Sequence, residues 1–347
     1  MNLFPTALVI GVAAALPAAA ATITQTNLVS DGYTQSTYTD PNLKNPWGIS
    51  YSPTGPFWVS DNNSGLTTVY VSSGQPQSLV VTIPPASGTG TGSPTGQVYN
   101  SNAKDFVVTS NGKSGSAAFI FATEDGTISG WSSSVNPSTA VIAVNQSAEQ
   151  SVFKGMALYT SNGTTSLYVT DFWAGTVDVY NSSFTLVSQF RDNTLPADWA
   201  PYNVAVLNNQ IYVTYAKQDA QRHDSVSGKG LGAVEIVSPT GTVMASTSHG
   251  TLNAPWGLAI APSSWGKKLG GSLLVGNFGS GNISVFNATT LKPEGVLKNG
   301  KKTIAIDGLW GLIPGNGGSG GAANTIYFSA GPNAETDGLF GSLTYTP

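Results

Sequence analysis

A chain of 347 residues with a formal net charge of −4 carries no basic footprint for nucleic acid. It has no cysteine, hence no disulfide framework or thiolate metal site, and its two histidines cannot build a three-histidine zinc centre. Charged residues are only 9% while glycine (41) and proline (20) abound, a composition poor in helix formers and rich in turn formers.

Residues 1–21 join an apolar run to Pro-Ala-Ala-Ala-Ala before Thr22. This predicts a secretory signal peptide cleaved after a small residue, leaving residues 22–347 as one secreted or periplasmic domain. No later stretch is long and apolar enough to span a bilayer, so no membrane contact is expected after its removal. Sequons at Asn62, Asn145, Asn162, Asn181, Asn282 and Asn287 fit such a route without requiring it.

Residues 22–30 alternate weakly and read as a lone strand. Thereafter one unit recurs: an opening strand, then a hairpin whose turn is rich in Gly, Asn or Asp. Openings at 45–51, 94–100, 153–159, 200–206, 254–260 and 308–314 are followed by strands or hairpins at 57–70, 119–131, 167–180, 211–237, 272–286 and 325–345. Segment 78–84 reads as a fourth strand of the first unit, followed by a loop at 86–93. Aligning the openings places Trp47, Thr95, Lys154, Tyr202, Trp256 and Trp310 together, at spacings of 48, 59, 48, 54 and 54 residues. Six units of about fifty residues, each of three or four short strands, predict an all-β, six-bladed β-propeller. The last unit has only three strands, and segment 22–30 supplies the fourth, closing the ring and removing an open edge. A β-sandwich or two stacked β domains leaves the six matched openings unexplained.

The strings NPWGISY, FATEDGTISGW, VTDFWAGTVDVY, LLVGNFGSGNISVF, VTYAKQDAQRHDSVSGKG, IDGLWGL and FSAGPNAETDGLFGSL, spread from residue 45 to the C-terminus, resemble a largely uncharacterised family of exported bacterial and fungal propellers related to the NHL-repeat propellers. The resemblance implies the fold and the export route and assigns no catalytic residue. More distantly the repeat is similar to calcium-dependent lactonase and gluconolactonase propellers, whose carboxylate and amide metal cage has no residue-by-residue match here.

In a propeller, the loops entering the innermost strands and those joining second to third strands share one face. Aligned second strands put Asp61, Glu124, Asp171, Tyr215, Asn277 and Ala330 at equivalent positions. The carboxylates and the amide, Asp61, Glu124, Asp171 and Asn277, are candidate oxygen ligands for Ca²⁺, or else caps of their own hairpin turns. The connection after Tyr215 crowds Lys217, Asp219, Arg222, His223, Asp224 and Lys229 into a nearly uncharged chain, and residues 331–338 add Glu335 and Asp337. Long loops in compact domains are often functional. His223 and Asp219 are therefore the candidate acid–base residues, and Lys217, Asp224, Glu335 and Asp337 candidate ligand contacts, with solvated local ion pairs as the alternative. Phe172, Trp173 and Phe278 lie in hairpin turns as a candidate aromatic ledge, whereas Trp47, Trp256 and Trp310 read as packing between blades. His249, in a polar turn, reads as a surface residue. Two functions fit these features: a monomeric, secreted propeller binding a small molecule, glycan or protein at the channel mouth, and a Ca²⁺-assisted hydrolase of lactonase type.

Overall fold

The computed structural model describes residues 22–247 and 250–347; the expected signal peptide and His249 lie outside the described residues. Six sheets form the blades of a propeller, antiparallel throughout except where Tyr38–Thr39 pairs parallel at the rim of the sixth. From the axis outwards, blade 1 comprises Pro46–Ser50, Phe57–Asp61, Leu66–Tyr70 and Val81–Thr82. Blade 2 comprises Pro94–Tyr99, Phe119–Thr123, Thr127–Trp131 and Val141–Asn145, with an added hairpin, Val107–Ser110 and Lys113–Ser116. Blade 3 comprises Phe153–Ser161, Thr164–Asp171, Thr176–Tyr180 and Leu186–Phe190. Blade 4 comprises Trp199–Leu207, Gln210–Lys217, Gly232–Val237 and Val243–Ser246, and blade 5 Pro255–Ile260, Leu273–Asn277, Ile283–Phe286 and Pro293–Val296. Blade 6 comprises Leu309–Pro314, Thr325–Ala330 and Leu339–Thr346, to which the N-terminal strand Thr22–Ser30 adds antiparallel as the fourth. The ring is thus closed by pairing the two ends of the described chain. Among the described residues no helix is long and apolar enough to cross a membrane.

Middle strands such as Phe57–Asp61 and Phe119–Thr123 are buried at every position, because each blade is covered on both faces by its neighbours. That is why they read as continuous apolar runs instead of alternating patterns. The core is accordingly divided into one layer per blade boundary. Trp58 and Val69 meet Phe119 and Phe121 between blades 1 and 2, and Phe57 and Val59 meet Tyr327, Phe340 and Val29 where blade 6 closes on blade 1. Outer strands are different: Leu186–Phe190 and Val243–Ser246 are largely exposed and leave Leu186, Val187, Val243 and Met244 open at the rim. The expected strand at 78–84 shortens to Val81–Thr82.

The ring closes tightly because of a repeated irregularity. In all six blades the register between the first and second strands slips at the same place, as between Pro46 and Ile49 or Leu309 and Leu312. At each slip the first strand carries Gly48, Gly96, Gly155, Gly257 or Gly311, with Asn203 in blade 4. A bulge frees a backbone N–H, and a hydroxyl of the second strand takes it: Thr170 Oγ1 accepts from Gly155 at 2.7 Å, Thr214 Oγ1 from Asn203 at 2.9 Å, and Ser329 Oγ from Gly311 at 2.9 Å. The missing side chains let adjacent first strands touch. A Cβ on Gly96 would lie 2.8 Å from the Lys154 carbonyl oxygen and 2.8 Å from the Met156 nitrogen of the next blade. Asn203 reaches across instead, donating its amide to the Trp256 carbonyl at 2.7 Å. Backbone cannot yield as a flexible side chain does, so Gly96→Ala is expected to destabilise the protein by about 1–3 kcal/mol, read as a lowered urea midpoint at unchanged slope.

Candidate functional site at the channel mouth

The first strands all enter from one face, and the second-to-third connections return to it. Backbone pairing fixes which residues are equivalent there. The N–H groups of Asn62, Glu124, Phe172, Gln218, Phe278 and Gly331 each donate to the loop entering their own blade, at Asn45, Ser93, Val152, Asp198, Ala254 and Gly308. Glu124 is therefore equivalent to Asn62 and Phe172, one residue beyond Asp61 and Asp171, and Gln218 takes the place in blade 4 expected near Tyr215. Side chains alternate along a strand, so this single-residue offset sends Glu124 to a different side from Asp61, Asp171 and Asn277.

Those three stay in their own turns. Asp171 Oδ1 accepts from the backbone of Ala174 (3.0 Å) and Val152 (3.3 Å). Asn277 Oδ1 accepts from Asn253 N at 2.9 Å, and its amide donates to Asn282 and Ser284. Asp61 is fully buried beside Thr68 of the next strand, and burial pushes its carboxyl well above the usual carboxylate range.

At the mouth, two rings stack. The lower is made by Trp47, Thr95, Lys154, Tyr202, Trp256 and Trp310, each just before its blade's register slip; the upper by the Glu124-equivalent set. Trp47 stacks on Trp310 at 3.5 Å and Trp310 on Phe278 at 4.0 Å, while Trp256 meets both tryptophans edge-on. Phe172 leans on Tyr202 at 5.0 Å. Together they form one apolar cluster that fills the upper channel. Phe172 is fully buried in it, and only Trp173 and Phe278 remain partly open as a ledge. Arg222 sits over Trp173, its guanidinium carbon 5.9 Å from the ring centre.

Lys154, the one cation of the lower ring, has no exposed side-chain surface. Its ammonium pairs with Glu124 Oε1, lies 3.6 Å from Asp224 Oδ1, and sits 4.9 Å from the Trp47 ring centre and 5.7 Å from that of Phe172. Asn62 donates to Glu124 Oε2 at 2.8 Å. Opposite, Asn45 bridges Trp310 Nε1 (2.9 Å) and Glu335 Oε2 (3.0 Å), and Asn63 donates to the Glu335 carbonyl. Over this lies the long connection of blade 4. Asp219 Oδ1 caps it by accepting from His223 N at 2.9 Å, and Ser225 donates to the Tyr202 hydroxyl at 3.1 Å. It carries His223 and Asp224 to Glu124, two blades away; carboxylate and imidazole atoms of these three all lie within 4.8 Å of one another.

The electrostatics follow from these contacts. The hydrogen bond that His223 Nδ1–H donates to the Asp224 carboxylate (3.1 Å) raises the imidazole above its ordinary value and holds the Asp224 carboxyl below the usual range. Burial raises the Glu335 carboxyl against the pull of Asn45. Lys217 and Asp337 stand aside: the first pairs with Asp198 at 3.3 Å, the second with Lys44 at 3.6 Å and with Asn333. The sequence assigns no site role to Asn45 or Asn62, and Lys154 stands there only as an aligned opening; a lysine where every other opening has an aromatic residue or threonine was the available signal. Asn62, one of the sequons, is 6% exposed and engaged with Glu124.

One titrating carboxyl lies elsewhere. Glu235, buried in blade 4 beside Tyr215 and Asp192, has its carboxyl pushed up to about 8, by burial first and Asp192 second. The folded protein then keeps a proton that the unfolded chain releases above about pH 4.5. Stability is expected to fall as pH rises from 4.5 towards 8 and to level off beyond, by roughly 2–3 kcal/mol after allowing for partial solvation. Thermal unfolding of Glu235→Gln against pH should lack that decline.

No family model matches the chain. Three uncharacterized proteins of Acanthamoeba polyphaga mimivirus do. Two are 30% and 32% identical over 326 residues, covering 91% of this chain and 78% and 84% of their own lengths. A third is 34% identical over 228 residues, 63% of this chain, and the match spans only 42% of that relative. Among solved structures, a catalytically inactive virginiamycin B lyase from Staphylococcus aureus with quinupristin superposes with a TM-score of 0.53 at 14% identity, over 93% of this chain and 99% of that one. A PQQ-bound aldose sugar dehydrogenase from Streptomyces coelicolor reaches 0.52 at 12% identity, over 95% of this chain and 100% of that one. At such identities the likeness establishes the propeller fold alone.

Proposed function

We propose that this chain, which belongs to the family of uncharacterized propeller proteins represented by the mimivirus relatives, is an exported, monomeric binding protein whose channel mouth takes a polar small molecule or a glycan. The carrying observation is convergence. In a chain with 9% charged residues, Glu124, Lys154, His223, Asp224 and Glu335 from blades 2, 3, 4 and 6 gather on one face, beside the partly open rings of Trp173 and Phe278. Carboxylates and amides recognise hydroxyl and amine groups, and an open ring face stacks a sugar or planar group. The repeat pattern of the sequence supports a tie to the NHL-repeat propellers, and the apolar, alanine-ended residues 1–21 support export. N-terminal sequencing of protein recovered from culture medium tests the latter, with Thr22 as the expected first residue.

A calcium-assisted hydrolase is the weaker reading. Lys154 Nζ already serves Glu124 and Asp224, taking up the negative charge a cation would need.

Glycan arrays and thermal-shift screens of polar small molecules identify a ligand. His223→Ala and Asp224→Asn, both on the exposed loop, are expected to weaken it at least about tenfold, the size of a charge-assisted contact. A ligand indifferent to both substitutions removes the mouth from consideration.

A further inference from the structure

Beneath the aromatic plug the channel opens again, towards the face opposite the charged mouth. A cavity of about 330 Å³ is walled there by the first strands of all six blades, one apolar side chain from each being Ile49, Val98, Met156, Val204, Leu258 and Leu312. Most polar side chains in these walls are spent on the fold. Gln97 donates to the carbonyls of Gly48 and Trp58, Ser50 to Gln97, Asn203 to the Trp256 carbonyl, and the Tyr51 hydroxyl to the Pro314 carbonyl.

One lining residue differs. Trp256, 4% exposed, has an indole Nε1–H with no partner. A buried donor without an acceptor costs about 1–3 kcal/mol, and most such groups in native proteins find a partner. Of the other plug tryptophans, Trp310 has its indole bonded to Asn45, and Trp47 shares the vacancy but does not line the cavity.

We propose that this lower channel is a second binding site, for a small apolar molecule bearing one hydrogen-bond acceptor, such as an aryl or alkyl ketone. The acceptor oxygen takes the Trp256 indole proton and the hydrocarbon part fills the six-sided apolar wall. The volume falls at the low end of the range that small-molecule sites occupy, and admits a molecule but not a folded segment. The site is independent of the charged mouth, being sealed from it by the stacked tryptophans.

The test uses the full chain and two isosteres: acetophenone, and α-methylstyrene, in which a methylene replaces the carbonyl oxygen. With ¹⁵N-labelled protein, acetophenone is expected to shift one indole N–H resonance, the one missing from Trp256→Phe, while α-methylstyrene leaves that resonance nearly in place. By titration, Trp256→Phe should weaken acetophenone about fivefold, the worth of one neutral hydrogen bond, and leave α-methylstyrene within twofold. If Trp256→Phe fails to fold, the wild-type indole shift decides alone. Two results overturn the proposal: neither compound perturbs the protein, so that water alone serves the indole, or both bind and acetophenone leaves the Trp256 indole unmoved.

Discussion

Deleting Thr22–Ser30 is expected to leave a protein that aggregates. This strand pairs with Leu339–Thr346 along nearly its whole length, from Thr22 opposite Thr346 to Ser30 opposite Leu339. It also buries Ile23, Leu28 and Val29, the last entirely, against blades 5, 6 and 1. Without it the last blade presents an unpaired edge beside an uncovered apolar layer, the arrangement natural sheets avoid. A milder version separates edge exposure from loss of core. Val29→Asp keeps the strand but buries a carboxylate, and is expected to cost on the order of 3 kcal/mol or more. Gln25→Lys, at an exposed position of the same strand, should stay within about 0.5 kcal/mol. Light scattering and urea unfolding read both, and a synthetic peptide of residues 22–30 added to the deleted protein should restore solubility by pairing in trans. A soluble, cooperatively unfolding deletion protein would show that the ring does not depend on this closure.

Lys154→Met is expected to destabilise the protein by about 3–5 kcal/mol, because it strands Glu124 without its counter-charge in a nearly dry site. Met fills much the same volume, so lost packing is a minor part. Replacing both, Lys154→Met with Glu124→Gln, should recover most of that loss, since a buried pair is worth little net when both charges go. The same proteins address the cation. With Lys154 present, calcium or EDTA is expected to leave the melting temperature unchanged. With Met at 154, Glu124 and Asp224 lose their ammonium, and calcium should raise the melting temperature in proportion to its concentration. Stabilisation of the wild-type protein by calcium would instead favour the metal-dependent hydrolase.

What these variants probe was unevenly legible in the chain. Trp47, Trp256 and Trp310 recur at one place in their blades, where their rings pack together around the axis, and that repetition marks the blade openings. Lys154 occupies the same place in blade 3, yet its partners are 30 residues back, in Glu124, and 70 residues on, in Asp224. No local pattern signals a pair formed only when blades 2, 3 and 4 stand around one axis. Asp61 and Glu124 show the complementary limit. Both follow a buried strand and carry a carboxylate, so they align readily by eye. A one-residue difference in backbone pairing then directs Asp61 into the buried interior of its blade, beside Thr68, and Glu124 to the mouth.

The amino-acid sequence by itself determined that this is an all-β ring of six units closed by its own N-terminal strand. Repeat period, turn chemistry and apolar runs are local properties that each blade satisfies separately. Tertiary structure alone decided which charges meet, Lys154 with Glu124 and with Asp224, and left Trp256 with a free indole proton above an apolar channel. These are contacts between residues far apart in the chain, set by how six sheets rotate around an axis, and the strength of an electrostatic or hydrogen-bonding contact depends on that distance and on the surrounding burial.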